Sequence, residues 1–184
     1  MADLHDLRIA IIATDGFEEV ELTEPRKALQ QAGAKVEVLS DKHEIQGFRH
    51  HDKAGKLKAD RMLDEARPDD YDGIMLPGGA LNADQARMLP KVREFIAEMD
   101  GARKPMAAIC HAPWELISAG AVRGRKLTGW YTIQDDLRNA GAHWMDQEVV
   151  VDQNLVTSRG PQDLPAFNRE MINLFSHVLA GSRR

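Results

Sequence analysis

Cysteine occurs once in this chain, at Cys110, and its neighbours make it a candidate nucleophile. Within Lys-Pro-Met-Ala-Ala-Ile-Cys-His-Ala-Pro-Trp-Glu-Leu, a short apolar run from Met106 to Ile109 precedes the thiol, and a helix-forming stretch follows His111. The order predicts a buried strand, a sharp turn carrying Cys110, and a helix whose unpaired first N–H groups face the sulfur. Those amides favour the thiolate, the form that attacks carbon or is oxidised. A lone cysteine is more often a small inert core residue. The strand–Cys-His–helix setting shifts the balance toward a reactive sulfur.

Such a sulfur needs partners. Glu18 lies in Asp-Gly-Phe-Glu-Glu-Val-Glu-Leu, after the first predicted strand, and is the preferred carboxyl partner of the thiol. Glu19 and Glu21 are accounted for by ordinary stabilisation of a helix N-terminus. His111 offers a backbone N–H to an oxyanion and an imidazole for proton transfer, although adjacent side chains at a turn need not touch. Asp84 is a candidate to orient that imidazole, from this subunit or a neighbouring one; a surface helix acid is an equal alternative. Gly78 and Gly79 permit close backbone approach and offer a second oxyanion donor, but Pro-Gly-Gly also serves everyday turns. The remaining histidines share no metal-ligand spacing, and no metal is expected. No phosphate-binding or dinucleotide fingerprint occurs, so no cofactor is expected. Trp130, Tyr131 and Trp144 read as packing or interface aromatics.

The elements that must position these residues follow from hydrophobic patterning. Arg8 to Ala13 is a continuous apolar strand of the kind buried on both faces. A helix is expected from about Phe17 to Ala32, kinked or divided at Pro25 and stopped by Gly33. Lys35 to Ser40 forms a second strand and Gly73 to Leu76 a third. Residues 41 to 70 read as polar and irregular. Val92, Phe95, Ile96 and Met99 share one helical face. Gln147 to Val151 and Leu155 to Thr157 suggest a hairpin, and Leu164, Phe167, Met171, Leu174 and Val178 mark a last helix. Alternating strands and helices predict an α/β sandwich with a mainly parallel sheet. Ligands in such folds bind beyond the carboxyl ends of the strands. There the turns carrying Glu18, Gly78-Gly79 and Cys110-His111 would converge.

The 184 residues suit one domain, 1–184, with 43% hydrophobic and 29% charged residues. A formal net charge of −5 argues against nucleic acid or an anionic membrane as partner. No apolar stretch approaches the ~20 residues of a membrane span. The start, Met1-Ala-Asp-Leu-His-Asp, lacks signal-peptide character. With one cysteine and no intramolecular disulfide, a cytoplasmic location is expected.

At these residues the chain resembles the PfpI type of the ThiJ/PfpI superfamily, relatives of class I glutamine amidotransferases. The resemblance extends through Leu-Pro-Gly78-Gly79, Ala-Ile-Cys110-His111-Ala-Pro, Leu-Ile-Ser-Ala-Gly, Arg-Gly-Arg-Lys-Leu-Thr, Asn-Ala-Gly-Ala, Gln-Glu-Val-Val-Val-Asp and Leu-Pro-Ala-Phe-Asn-Arg-Glu, in that order. It implies a flavodoxin-like three-layer sandwich with helices on both faces of the sheet. It makes Cys110 the nucleophile, Glu18 its carboxyl partner, His111 the paired histidine, and Gly79 with the His111 amide the oxyanion donors. It further implies a homodimer or larger ring, some members completing the histidine's triad with an acid from the next subunit. Family activities include intracellular peptidase, deglycase action on glyoxal and methylglyoxal adducts, cofactor-free glyoxalase and general stress protection. The expected activity is therefore a cysteine-dependent hydrolase acting on small dicarbonyls or glycated substrates. A redox-sensing thiol on a chaperone is the alternative from another class. Two departures stand out. Ala112 and Trp114 replace the Gly and Gln that usually flank the proline after the histidine, and would narrow the site. The loop from Ala80 to Asp84 is longer than usual, which leaves the register of Asp84 open.

Overall fold

The computed structural model describes residues 3–182, with side chains through His177; Met1-Ala2 and the Val178 side chain lie outside the described residues. The strands are β1 (Arg8–Ile12), β2 (Phe17–Glu18), β3 (Lys35–Ser40), β4 (Glu44–Arg49), β5 (Asp52–Lys58), β6 (Arg61–Met62), β7 (Gly73–Leu76), β8 (Met106–Ile109), β9 (Lys126–Leu127), β10 (His143–Trp144), β11 (Val150–Asp152) and β12 (Leu155–Ser158). The helices are α1 (Glu19–Gln31), α2 (Ala80–Ala86), α3 (Pro90–Gly101), α4 (Pro113–Ser118), α5 (Gln134–Asn139) and α6 (Leu164–Ser182).

Seven strands form the central sheet in the order β11-β12-β8-β7-β1-β3-β6. All its neighbours pair in parallel except β11 with β12, which form the expected antiparallel hairpin. Period-two alternation sends successive residues of each strand into opposite layers. Ile9, Ile11, Val38, Ala107 and Val156 pack with Leu22 and Leu29 of α1 and Phe167, Met171 and Phe175 of α6. Ala10, Ile12, Leu39, Ala108 and Leu155 pack with Val92, Phe95, Leu116 and Leu137 from α3, α4 and α5. Covering both faces requires continuous apolar strands, which β1, β7 and β8 supply. The result is the three-layer sandwich expected from the sequence.

Two local expectations are corrected. Residues 41–70 are not irregular: β4 and β5 pair as an antiparallel hairpin, and β4 also pairs with β2 to make a separate three-stranded sheet. Its lysines and glutamates hide the alternation, because much of β5 is exposed on both faces. The first helix starts at Glu19 rather than Phe17, since Phe17 and Glu18 are drawn into that small sheet, and Pro25 lies within one helix rather than dividing it.

One buried group departs from the logic of this core. Glu115 on α4 is fully buried, neither carboxyl oxygen meets a hydrogen-bond partner, and burial pushes its pKa well above the usual range. An apolar replacement of similar volume removes an unsatisfied polar group, worth about 1–3 kcal/mol. Glu115→Leu is therefore expected to raise the denaturation midpoint at neutral pH. Because the folded state holds a proton that the unfolded state releases, the gain should grow as pH rises above the ordinary carboxyl range. A lower midpoint would show that the carboxyl has a partner.

Candidate active site

Strands β8, β7 and β1 are neighbours in the sheet, so the turns leaving their carboxyl ends lie side by side. Asn82, buried at the start of α2, ties two of them together. Its Oδ1 accepts the Thr14 N–H at 2.7 Å, and its Nδ2 donates to the Pro77 and Gly78 carbonyls at 3.0 and 3.1 Å. The third turn is fixed by the Cys110 N–H donating to the Ser158 carbonyl at 3.0 Å and the Trp130 N–H donating to the Cys110 carbonyl at 2.8 Å.

Cys110 has φ +63°, in the left-handed region that residues with a Cβ avoid. Such a conformation costs about 1–3 kcal/mol and survives only where surrounding bonds over-determine it. It lifts the sulfur off the strand into a cavity of about 540 Å³. Gly78 and Gly79 are there for space. A Cβ on Gly78 would come 2.6 Å from the Cys110 Cβ and overlap the Glu21 carboxylate. Gly79 has φ +93°, and a Cβ there would strike the Gly16 and Phe17 backbone. The Gly79 and His111 amides both point toward the sulfur.

The carboxyl against this sulfur belongs to Glu21, not Glu18. Glu21 is fully buried, and the Cys110 thiol and the Gly78 amide are the groups that act on it, neither at full hydrogen-bonding geometry. Glu18 lines the same cavity, but one of its oxygens accepts the His50 N–H at 3.0 Å. The reason lies in where α1 begins. Helical side chains lean back toward the N-terminus, so the third helical residue, rather than the one preceding the helix, reaches over the strand ends. A signal was present in the sequence: Glu21 shares the buried stripe of Leu22, Pro25 and Leu29. A carboxyl at a core position is the unusual observation; an acid in a first turn is not.

The electrostatics reverse the expectation of a resting thiolate. Burial pushes the Cys110 thiol well up, with the Glu21 charge adding to the effect, while the Gly79 and His111 amides act in the other direction. A helix terminus supplies about 0.3–2 kcal/mol, whereas full burial can shift a pKa by up to about 3–5 units. Desolvation wins. Burial, with the nearby Glu18, also pushes Glu21 up to about 8. The resting pair is therefore a thiol beside a protonated carboxyl at neutral pH.

His111 does touch the sulfur: its Nδ1 lies 3.3 Å from Sγ. Burial lowers the imidazole pKa, keeping it neutral and able to accept a proton. Two indoles hold the ring, Trp130 stacked at 6.0 Å and Trp114 edge-on at 5.2 Å. Trp114 is itself anchored through Nε1 to Asp136 at 2.8 Å.

Three other expected site residues lie elsewhere. Asp84 is exposed on α2 and makes no hydrogen bond to His111 among the described residues. Ala112 packs into the core beneath α4. Trp114 buttresses His111 without lining the cavity, so these two do not narrow it. The lining instead includes Phe48, His50, His51, Leu81, Trp130 and Pro161. The His50-His51 turn arrives with the β4–β5 hairpin, so it was missed with that hairpin. Among the described residues no three His, Cys, Asp or Glu side chains gather as a metal site. No described helix is long and apolar enough to cross a membrane.

The chain's similarities agree with this geometry. It is 40% identical over 168 residues to deglycase PfpI of Pyrococcus furiosus, covering 91% of this chain and 99% of that one. It is equally 40% identical over 168 residues to general stress protein 18 of Bacillus subtilis, covering 91% and 96%. A two-domain Anabaena variabilis structure with DJ-1/ThiJ/PfpI-like and ferritin-like domains superposes with a TM-score of 0.86 at 34% identity. The alignment covers 91% of this chain and 48% of that protein, so the chain spans about half its length. The DJ-1/PfpI family model matches residues 7–174, and the chain belongs to that family.

Proposed function

We propose that this protein is a cysteine-dependent hydrolase of stress defence, acting on glyoxal, methylglyoxal or their protein adducts. The observation that carries the reading is the contact between Sγ of Cys110 and a neutral His111 imidazole, inside a cavity that also holds a protonated Glu21. The names of the relatives, a deglycase and a general stress protein, support the same class.

The chemistry follows from these groups. His111 Nδ1 takes the thiol proton as sulfur adds to the aldehyde carbon, forming a C–S bond. The carbonyl π-electrons move to oxygen, where the Gly79 and His111 amides hold the charge until the imidazolium returns the proton. His111 then moves the proton from the sulfur-bearing carbon to its neighbour, and the hydroxyl proton on the first carbon passes to the oxygen of the second, converting the adduct to a 2-hydroxy thioester. Water attacks the thioester carbon, the sulfur leaves and regains its proton, and lactate or glycolate is released. A protein adduct enters this path once its carbinol releases the amine. Throughout, protonated Glu21 donates a hydrogen bond toward the sulfur and adds no negative charge beside it.

The protein acts as a homo-oligomer in the cytoplasm, where a lone thiol stays reduced. In that assembly Asp84, exposed on α2, would orient the histidine of a neighbouring copy.

Cys110→Ala should abolish lactate formation from methylglyoxal, by at least about a thousandfold, with circular dichroism unchanged; retained turnover overturns the reading. The pH profile tests Glu21. Below about 8 its carboxyl is protonated and donates; above, it is an anion that opposes the thiolate. The profile of kcat/KM should therefore fall on an alkaline limb near pH 8, and Glu21→Gln should remove that limb while lowering the plateau. An unmoved limb in this variant would remove Glu21 from the mechanism.

A further inference from the structure

The charges around the cavity are lopsided. Two carboxyls line it, Glu18 and Glu21, and no lysine or arginine does so among the described residues. Three basic side chains carried beside its lining residues are bound to other acids, whereas Lys53, opposite Phe48 across β4–β5, is exposed and makes no salt bridge among the described residues. Lys42 is bound to Asp15, Arg49 to Glu19 at 2.7 Å, and Arg159 to Asp163 and Asp146 at 2.8 and 2.9 Å. Of the two carboxyls, Glu18 lies nearer solvent, and its charge acts on the deeper Glu21. Glu18 is 9% exposed; one oxygen takes the His50 N–H, and the other has no hydrogen-bond partner among the described residues. The cavity is also lined by the rings of Trp130 and Phe48. Aromatic faces attract cations and have no such affinity for carboxylates. A second buried and unpartnered carboxyl, that of Glu21, faces the same space.

We propose that the cavity is charge-selective, and that Glu18 is its specificity-determining residue. Glu18 draws a cationic group toward the indole of Trp130, next to the carbon that Cys110 attacks, and turns carboxylate-bearing compounds away. The substrate class this fits is an electrophilic carbon attached to a guanidinium or ammonium group. A free dicarbonyl, being neutral, enters without this advantage. The substrate statement rests on the cysteine-hydrolase reading; the charge preference rests on the cavity alone.

Methanethiosulfonate reagents test the preference without any turnover. Each transfers its thioalkyl group to the cysteine sulfur, forming a mixed disulfide and releasing methanesulfinate, and Cys110 is the chain's single target. The rates of the trimethylammonioethyl, sulfonatoethyl and neutral methyl reagents are measured on the full chain at pH 7.5. Each is divided by the rate of the same reagent with a small free thiol. The cationic reagent should then exceed the anionic one by at least about tenfold, as expected for a carboxylate acting at close range in a partly dry site. Glu18→Gln should bring the ratio to within about twofold of unity, whereas Glu18→Asp should keep most of it. Raising salt to about 0.5 M should shrink the wild-type ratio, a reading that needs no variant to fold. A wild-type ratio near or below unity overturns the proposal. So does a ratio unmoved by Glu18→Gln, or one indifferent to salt. Lactate formation is followed separately: its absence with an intact charge preference would sink the hydrolase reading and leave the filter standing.

Discussion

A single backbone angle organises this site. With φ at +63°, Cys110 cannot lay its side chain along β8 and instead raises the sulfur above the sheet edge. The space it enters is already bounded by Gly78, Glu21 and the His111 ring. Each of those residues is constrained in turn. Position 78 tolerates no side chain because the Cys110 Cβ and the Glu21 carboxyl occupy that volume. His111 is fixed by two indoles, and the turn after β7 is fixed by Asn82 to the turn after β1. The strain at the elbow is sustained because hydrogen bonds from β12 and from the Trp130 backbone leave the chain no alternative path.

The same geometry explains why a buried acid is kept where hydrophobic residues would pack more favourably. Burying Glu21 costs stability in proportion to its displaced pKa, since the folded protein must hold a proton that the unfolded chain gives up above the ordinary carboxyl range. What the fold gains is a hydrogen-bond donor of carboxylic type beside a nucleophile. Glutamine could donate there too, but an amide is a weaker hydrogen-bond donor than a carboxylic acid. Glu115 meets the same desolvation on the opposite face of the sheet, with only the Arg87 charge acting in its favour. Nothing in the structure explains why that carboxyl is retained.

Much of this was legible in the residues. Strands β7 and β8 coincide with short, fully buried apolar runs whose length and flanking glycine or proline mark them as strands, and β3 coincides with the alternating run Lys35–Ser40. The β4–β5 hairpin was not legible: β5 is polar and mostly exposed, and the buried positions of β4 fall on Ile45 and Gly47, which leaves one apolar side chain to mark the alternation. That omission carried others with it, since Phe48, His50 and His51 reach the cavity only on the hairpin. Glu18 and Glu21 were confused because a two-residue strand, Phe17–Glu18, delays the helix and rotates the carboxyls relative to the strand ends. Trp114 and Trp130 were exchanged for a similar reason. Sequence proximity to Cys110 favoured Trp114, yet a helix turn carries it behind His111, whereas the Trp130 amide is pinned to the Cys110 carbonyl.

The two carboxyls of the cavity are best understood together. The charge on Glu18 is one of the causes holding the Glu21 pKa up. An anion near the mouth thus helps keep the deeper acid protonated, and the deeper acid, being neutral, leaves the sulfur free of a second negative neighbour. A cationic group settling against Glu18 would cancel part of that charge. It would thereby lessen the negative field at the Cys110 sulfur and favour the thiolate as His111 takes its proton. Selection of the substrate's charge and activation of the nucleophile are then two consequences of one electrostatic coupling, set by where α1 begins.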